Sequence, residues 1–238
     1  MDTKQLYLDN QYLKEADGTA LWFEFTDLIL DQTIFYPTMD GQPNDKGKVL
    51  IDNKEYLIVD TWQDGSSIHL MSLDTFPADT KGKKVHQIID WDIRYLHMRF
   101  RTALKVLTAL TYSMLKGTTR INQTYDTEAW FDIEVETLTQ QDVESLIAEA
   151  NKIMQSGKDV TFSYVERADF LKDLDMMKIC KEKVPDGDKM RVMHIEGLPS
   201  QMEFGTNVSN TKEVGTINYK TTLTKGVLNK RINITLSP

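Results

Sequence analysis

A single cysteine, Cys180, excludes any disulfide within the chain. With only four histidines (His69, His86, His97 and His194), a Cys/His metal cage would consume nearly the whole supply. No run approaches the roughly 18 apolar residues of a membrane-spanning helix, so no membrane contact is expected. The first residues, MDTKQLYLDNQYLKEADG, carry acids and lack the basic start and apolar stretch of a secretory signal, which leaves a cytoplasmic protein as the expectation. What is present is an ordinary globular mixture, 40% hydrophobic and 27% charged. That excludes a disordered or collagen-like chain, and the 238 residues allow one large domain or two small ones.

Charge is less ordinary. The net charge of −8 argues against a nonspecific nucleic-acid binder, and no DNA partner is expected. The sum hides a segregation: residues 1–93 carry −9, Arg94 to Arg120 carry +6 with no acid at all, residues 121–210 carry −9, and Thr211 to Pro238 carry +4. Local clusters of Arg and Lys are the footprint of phosphate binding whatever the net charge, and the competing explanation is pairing with the acidic segments in the fold.

From Leu6 to about Leu73, short apolar or alternating runs (QLYL, TALWFEFTDLIL, KVLIDNKEYLIV, SSIHLMSL) are separated by Asp, Asn and Gly turns, predicting a small barrel or curled sheet. PADTKGKK, Pro77 to Lys84, has the composition of a linker, so the expected domains are 1–80 and 85–238. Arg94 to Lys116 lacks Gly and Pro, and its apolar residues recur at intervals of three and four, predicting a helix with one buried face, capped by Asp90 or Asp92 and ended by Lys116 and Gly117. Thr139 with Asp142 predicts a second helix to about Gln155. Strands are then expected at DVTFSYV, MRVMHI, VGTINYKTTL and VLNKRINITL, with a short helix at RADFLKDL. The second half is α+β with its strands mostly late.

The most informative string is LDQTIFYPTMDGQPNDKG, Leu30 to Gly47. It reads as a strand ending in Phe35 and Tyr36, a turn at Pro37, and a small-residue loop where Gly41 and Gly47 let backbone approach a ligand, with Thr33 and Gln42 offering neutral hydrogen-bonding groups. A plain hairpin connection explains the same residues. The string nevertheless resembles the LDxTxFYPxGGGQPxDxG signature of the editing domain of alanyl-tRNA synthetases and of the free-standing trans-editing proteins called AlaX. In order along the chain, HMRFRTALKVLTAL (His97 to Leu110) resembles the family's HMRxHTAxHLL helix, and MRVMHIEGLPSQMEFGTNVSNTKEVG (Met190 to Gly215) resembles its RVxxI...CGGTHVxNTGEIG segment. The resemblance covers nearly the whole chain, fits the medium-sized form, and is poorer to threonyl-tRNA synthetases, which lack the first string.

The resemblance implies an N-terminal β domain followed by an α+β editing-type core, tRNA(Ala) or its acceptor end as partner, and hydrolysis of the ester joining serine or glycine to that tRNA. It also implies a zinc held by two His of HxxxH, one Cys and one further His. Aligned residue by residue, Arg101 and Lys105 stand at the two helical His positions, Glu203 at the Cys and Asn207 at the last His. Phe204 replaces the first Gly of CGG, and Met39 and Asp40 replace two glycines of the first string. No zinc and no other cofactor is therefore expected: the cations repel a metal, and one Glu with an Asn amide does not hold it against them. A metal site rebuilt through His97, His194 or Cys180 is disfavoured, Cys180 reading as a small buried hydrophobe.

Arg101, Lys105 and Glu203 carry the same formal charge as zinc with one thiolate, which predicts an ion-pair cluster at the old site; the alternative makes the two cations solvated helix-face residues. Two functions follow. In a zinc-independent deacylase, Thr33 contacts the amino-acid hydroxyl, Gln42, Arg101 and Lys105 stabilise the oxyanion, and Glu203 is the base, with Gly41, Arg99, Thr206 and Asn207 completing the substrate- or anion-binding set. In a catalytically inactive homologue, the same scaffold binds tRNA or another anion. The ligase activity of the synthetases belongs to a separate domain, so a full alanine–tRNA ligase is not expected. Self-association is compatible with the sequence.

Overall fold

The computed structural model describes residues 1–179, 181 and 184–238; Cys180 lies outside the described residues. The fold is α+β, and the chain forms two compact units, Met1–His97 and Met98–Pro238.

In the first unit, β1 (Lys4–Gln5) and α1 (Leu6–Asp9) precede β2 (Glu15–Glu24), β3 (Asp27–Leu30), β4 (Gln32–Thr33), β5 (Gly47–Ile51), β6 (Lys54–Asp64), β7 (Ser67–Ser72) and β8 (Lys84–Ile89). A closed barrel runs β2-β3-β7-β6-β5-β8, as the alternating runs predict. Period-two alternation sends Tyr56 and Ile58 inward to join Leu28, Leu70 and Val49 in the core, while Leu57 and Val59 face out. The β5–β6 hairpin turns through Asp52 and Asn53, both at positive φ (51° and 65°), a conformation that short polar side chains tolerate. Gly47 is fixed by closure of the barrel: a Cβ there would lie 2.2 Å from the Ile88 carbonyl oxygen of the neighbouring strand.

Two expectations are corrected in this unit. QLYL is not a strand, because Leu6–Asp9 winds into a helical turn. The boundary at Pro77–Lys84 falls inside the barrel, since β8 follows it and pairs with both β2 and β5. A polar, Gly-containing loop between two strands has the same composition as a linker. Only the pairing partner of the next strand tells them apart, and the division between units falls instead after His97, within the helix that follows.

That helix, α2 (Trp91–Leu115), is longer than predicted at its start and is buried all round over residues 100–111 rather than on one face. In the second unit it is followed by β9 (Thr118–Thr124), β10 (Ala129–Glu134), α3 (Gln140–Ser156), β11 (Val160–Glu166), α4 (Arg167–Phe170), α5 (Leu174–Ile179), β12 (Lys189–Ile195), β13 (Gln201–Met202), β14 (Thr216–Thr224) and β15 (Asn229–Ser237). Thr139 and Asp142 form the predicted capping box, and Gly157 closes α3 in the left-handed region. At the end of α2 it is Lys116 that turns left-handed (φ 53°); Gly117 is needed for closeness, since a Cβ would sit 2.4 Å from Val135 Cγ1.

One antiparallel sheet has the order β14-β15-β10-β9 and a second β11-β12-β13. Strands come mostly late, as expected, since β11 to β15 follow α3; two strands not predicted from the sequence, β9 and β10, precede it and pair with each other, and β10 also pairs with β15. Their sequences, TTRINQT and AWFDIE, alternate too weakly in polarity to be read alone, because Asn122 and Asp132 are buried polar positions.

Candidate functional site

In the first unit, the loop from Leu30 to Gly47 is held by side chains from outside it, among them Gln87 and Arg94. Gln87 of β8 accepts through Oε1 from the Thr33 hydroxyl (2.7 Å) and the Ile34 N–H (3.3 Å), and its Nε2 donates to the Gln32 carbonyl (3.1 Å). The Thr33 oxygen also accepts from the Phe35 N–H (3.1 Å), so the hydroxyl expected to contact the amino acid already donates and accepts within the first unit. Met39 and Gln42 exchange backbone hydrogen bonds across a tight turn whose central residues, Asp40 and Gly41, have φ of 50° and 75°. Asp40 thus adopts the left-handed conformation that glycine takes freely and aspartate tolerates. The Gln42 side chain is buried.

The second clamp is Arg94, at the start of α2. Its Nε donates to both carboxylate oxygens of Asp45 (2.8 and 3.0 Å), Nη2 to Asp45 and to the Ile34 carbonyl (2.6 Å), and Nη1 to the Gln11 carbonyl (3.3 Å). The Asp45 carboxylate accepts in addition from the Tyr36 N–H (2.6 Å), and both side chains are fully buried. Removing either partner would leave a buried charge without its counterion, which is the costly outcome. Sequence reasoning passed over this pair, although Asp45 lies in the most informative string and Arg94 opens the acid-free cationic segment.

In the second unit, the helical spacing of four places Arg101 and Lys105 on one face of α2, and Glu203 meets both. Arg101 Nε donates to the two Glu203 oxygens at 3.0 Å each, and Lys105 Nζ stands 3.2 Å from Oε2 while donating to the Met202 carbonyl (2.9 Å). The Gly205 N–H donates to Glu203 Oε1, and Arg101 Nη1 reaches Asn122 Oδ1 (3.4 Å). Arg101, Lys105 and Glu203 are each 1% exposed, so the helix-face alternative is corrected: the cluster is interior and paired. Arg191 is a third buried cation of this cluster. Its Nη1 donates to the carbonyls of Glu203 (2.9 Å) and Gly205 (3.2 Å), and its guanidinium covers the Phe162 ring at 3.6 Å. The signal for it was the Arg of MRVMHI, whose strand neighbours are apolar.

Burial pushes the Glu203 carboxyl upward, but Arg101, Lys105 and Arg191 outweigh it and lower the group to about 2. A carboxylate held that far below neutrality is a fixed counterion and a weak proton acceptor, so the structure gives Glu203 a different task from the base assigned to it in the sequence. Thr206 and Asn207 are buried in the same segment. Phe204, where the family pattern has a glycine, packs against a small cluster of Phe170, Met190 and Val192. Arg99 is spent elsewhere, donating to the carbonyls of Val214 (3.1 and 2.8 Å) and Ser237 (3.1 Å).

No family model matches the chain. Individual relatives do. It is 30% identical over 237 residues to the alanyl-tRNA editing protein AlaX-M of Saccharolobus solfataricus, covering 99% of this chain and 100% of that protein. It is 28% identical to the AlaX-M of Methanosarcina barkeri over 98% of this chain and 99% of the relative. The alanine–tRNA ligase of Staphylothermus marinus matches at 29% over 90% of this chain, which spans 24% of that larger protein. A barrel unit with an α+β unit, matched end to end by such proteins, defines a protein of the alanyl-tRNA editing class. The chain belongs to the AlaX family, in its AlaX-M form.

The zinc that this resemblance implies does not fit the residues present. Two of the four corresponding side chains are cations hydrogen-bonded or ion-paired to the third, whose carboxylate is already engaged by both, and the fourth is an amide. Among the described residues no group of three or more His, Cys, Asp and Glu is placed to hold a metal. His194 lies between Ser163 Oγ (2.7 Å) and Ser200 Oγ (2.8 Å), and His97 is buried in α2. No helix of the described residues is long and apolar enough to cross a membrane.

Proposed function

We propose that this chain acts in the cytoplasm on tRNA(Ala) mischarged with serine or glycine and hydrolyses the aminoacyl ester by a route that uses no zinc. Water adds to the ester carbonyl, negative charge develops on its oxygen, and the ribose hydroxyl leaves. The observation that carries the proposal is the composition of the buried cluster: Arg101 and Lys105 meet the carboxylate of Glu203, with Arg191 beside them, where the family pattern has its metal. Fixed charge in a water-poor interior stabilises a developing oxyanion without reorganisation. The remaining acceleration comes from positioning of the aminoacyl end. Full-length similarity to two AlaX-M proteins supports tRNA(Ala) as the partner.

A second reading has its own observation. The Thr33 hydroxyl is tied to Gln87 and Glu203 is neutralised by its neighbours, which favours a homologue that binds the acceptor end and performs no chemistry. Deacylation of seryl-tRNA(Ala), with and without a chelator, separates the two. The expected result is chelator-insensitive turnover that is lost in Arg101→Ala. Absence of turnover together with salt-sensitive tRNA binding selects the second reading, and absence of both overturns each.

A further inference from the structure

The β11-β12-β13 sheet places two serines on either side of one histidine. Ser163 Oγ lies 2.7 Å from His194 Nε2, and Ser200 Oγ lies 2.8 Å from His194 Nδ1. All three residues are half-buried, neither sealed in the core nor fully solvated. Strand register sets Ser163, Val192 and Met202 in one row across the sheet, and period-two alternation puts His194 on the same face. Arg191, the neighbour of Val192, turns to the opposite face, where it joins the Glu203 cluster. The histidine and its serines therefore stand apart from that cluster.

A neutral imidazole donates from one nitrogen and accepts at the other. With the Nδ1 proton directed to Ser200, Nε2 accepts from the Ser163 hydroxyl, and a nucleophile then rests on a base that a third group orients. The backbone favours Ser163 over Ser200 as that nucleophile. Ser163 is fixed in β11 by its pairing with Val192, whereas Ser200 lies in the connection between β12 and β13. Odd-numbered residues of β11 bond to β12, so the even-numbered N–H groups face the open edge of the sheet. That of Val160 is taken by the Ser209 carbonyl (2.8 Å), while that of Tyr164 meets no partner among the described residues. The residue after the serine thus offers a donor for a developing oxyanion. The third group selects the substrate. A hydroxyl orients the imidazole but, unlike a carboxylate, brings no charge to stabilise the imidazolium, which favours esters with good leaving groups over amides. Val192 and Met202 in the serine's row, with Val165 two residues along β11, make an apolar floor that suits a short, uncharged acyl group.

We propose that Ser163 is the nucleophile of an acyl-transfer centre, separate from the Glu203 cluster, that hydrolyses activated esters of short, uncharged acyl groups. Ser163 Oγ bonds to the ester carbonyl carbon as its proton passes to His194 Nε2. The bond to the leaving oxygen breaks, and that oxygen departs as the alcohol, taking the proton from His194. Water then adds to the acyl-serine and gives a proton to Nε2, which returns it to Ser163 Oγ as the carboxylic acid leaves. The test treats the full chain with p-nitrophenyl acetate and with a fluorophosphonate, which bonds to an activated serine with loss of fluoride. The expected result is a single phosphonylated residue, mapped to Ser163 by peptide mass spectrometry, and saturable release of p-nitrophenolate. Ser163→Ala should abolish both. His194→Gln should slow ester cleavage at least about a hundredfold, and Ser200→Ala by less, since it removes only the orientation of the base. Labelling of the wild type at Ser200 or elsewhere, or no labelling, overturns the proposal, and so does p-nitrophenolate release unchanged in Ser163→Ala. The mapping is made on the wild type, so it stands whether or not a variant folds. Deacylation of seryl-tRNA(Ala) should persist in Ser163→Ala; its loss in a variant of unchanged thermal midpoint would overturn the separation of the two centres.

Discussion

Asp45 in the first unit and Glu203 in the second are both wholly buried carboxylates, but they meet their cations in different proportions. Asp45 faces one arginine, Arg94, and the pair is neutral; each of its oxygens is taken by Arg94 or by the Tyr36 N–H. Glu203 faces Arg101 and Lys105 directly and Arg191 through the backbone, so several cations converge on one carboxylate. The neutral pair is a fastening for the Leu30–Gly47 loop. The second gathers several ions in the interior, an arrangement that folding alone would not favour, since hydrophobic replacement of buried ions is often neutral or stabilising. That contrast marks the second unit as the place to look for anion chemistry.

The comparison breaks most visibly at the carboxylates themselves. Glu203→Ala removes the carboxylate that Arg101 and Lys105 engage and should cost at least the roughly 3–5 kcal/mol of a broken buried pair in urea denaturation. Asp45→Asn, which keeps an acceptor for Arg94, should cost less, about 3 kcal/mol. Phosphate or sulfate should restore part of the loss in Glu203→Ala and none in Asp45→Asn. Equal losses with equal anion response would erase the distinction drawn between the two pairs.

Acid sharpens it next. Glu203 titrates near 2 in the folded state against an ordinary value near 4.5, so the unfolded chain binds its proton first as pH falls. Its contribution to stability is therefore complete above about 4.5 and drains away between there and about 2. Glu203→Gln should flatten that stretch of the stability profile, measured as the thermal midpoint against pH. A profile parallel to that of the wild type would mean that the carboxylate is not held by its cations.

The smallest effect expected lies outside both pairs. Thr139→Ala removes the exposed capping box of α3 and should cost about 1 kcal/mol, with no anion or acid dependence beyond that of Asp142. It serves as the baseline for an ordinary local defect.

Much of this protein was legible in residues alone. The barrel followed from alternating runs between turn residues, the Thr139 cap from its spacing to Asp142, and the meeting of Arg101, Lys105 and Glu203 from the need to balance charge where a metal pattern had been rewritten. Those are local or pairwise arguments, and period, capping and charge are properties of the chain as written. Tertiary structure decided what depends on neighbours distant in sequence. It made Pro77–Lys84 a loop inside a barrel by giving β8 two partners, and it buried α2 all round where its periodicity promised a single face. It tied Thr33 to Gln87 across 54 residues, brought Arg191 to the cluster as a third cation, and laid Arg231 over Trp130 across strands a hundred residues apart. The sequence determined which charges the interior would have to accommodate. Only the packing decided which of them are neutralised, because the energy of a buried charge is set by the few ångströms around it and not by its place in the chain.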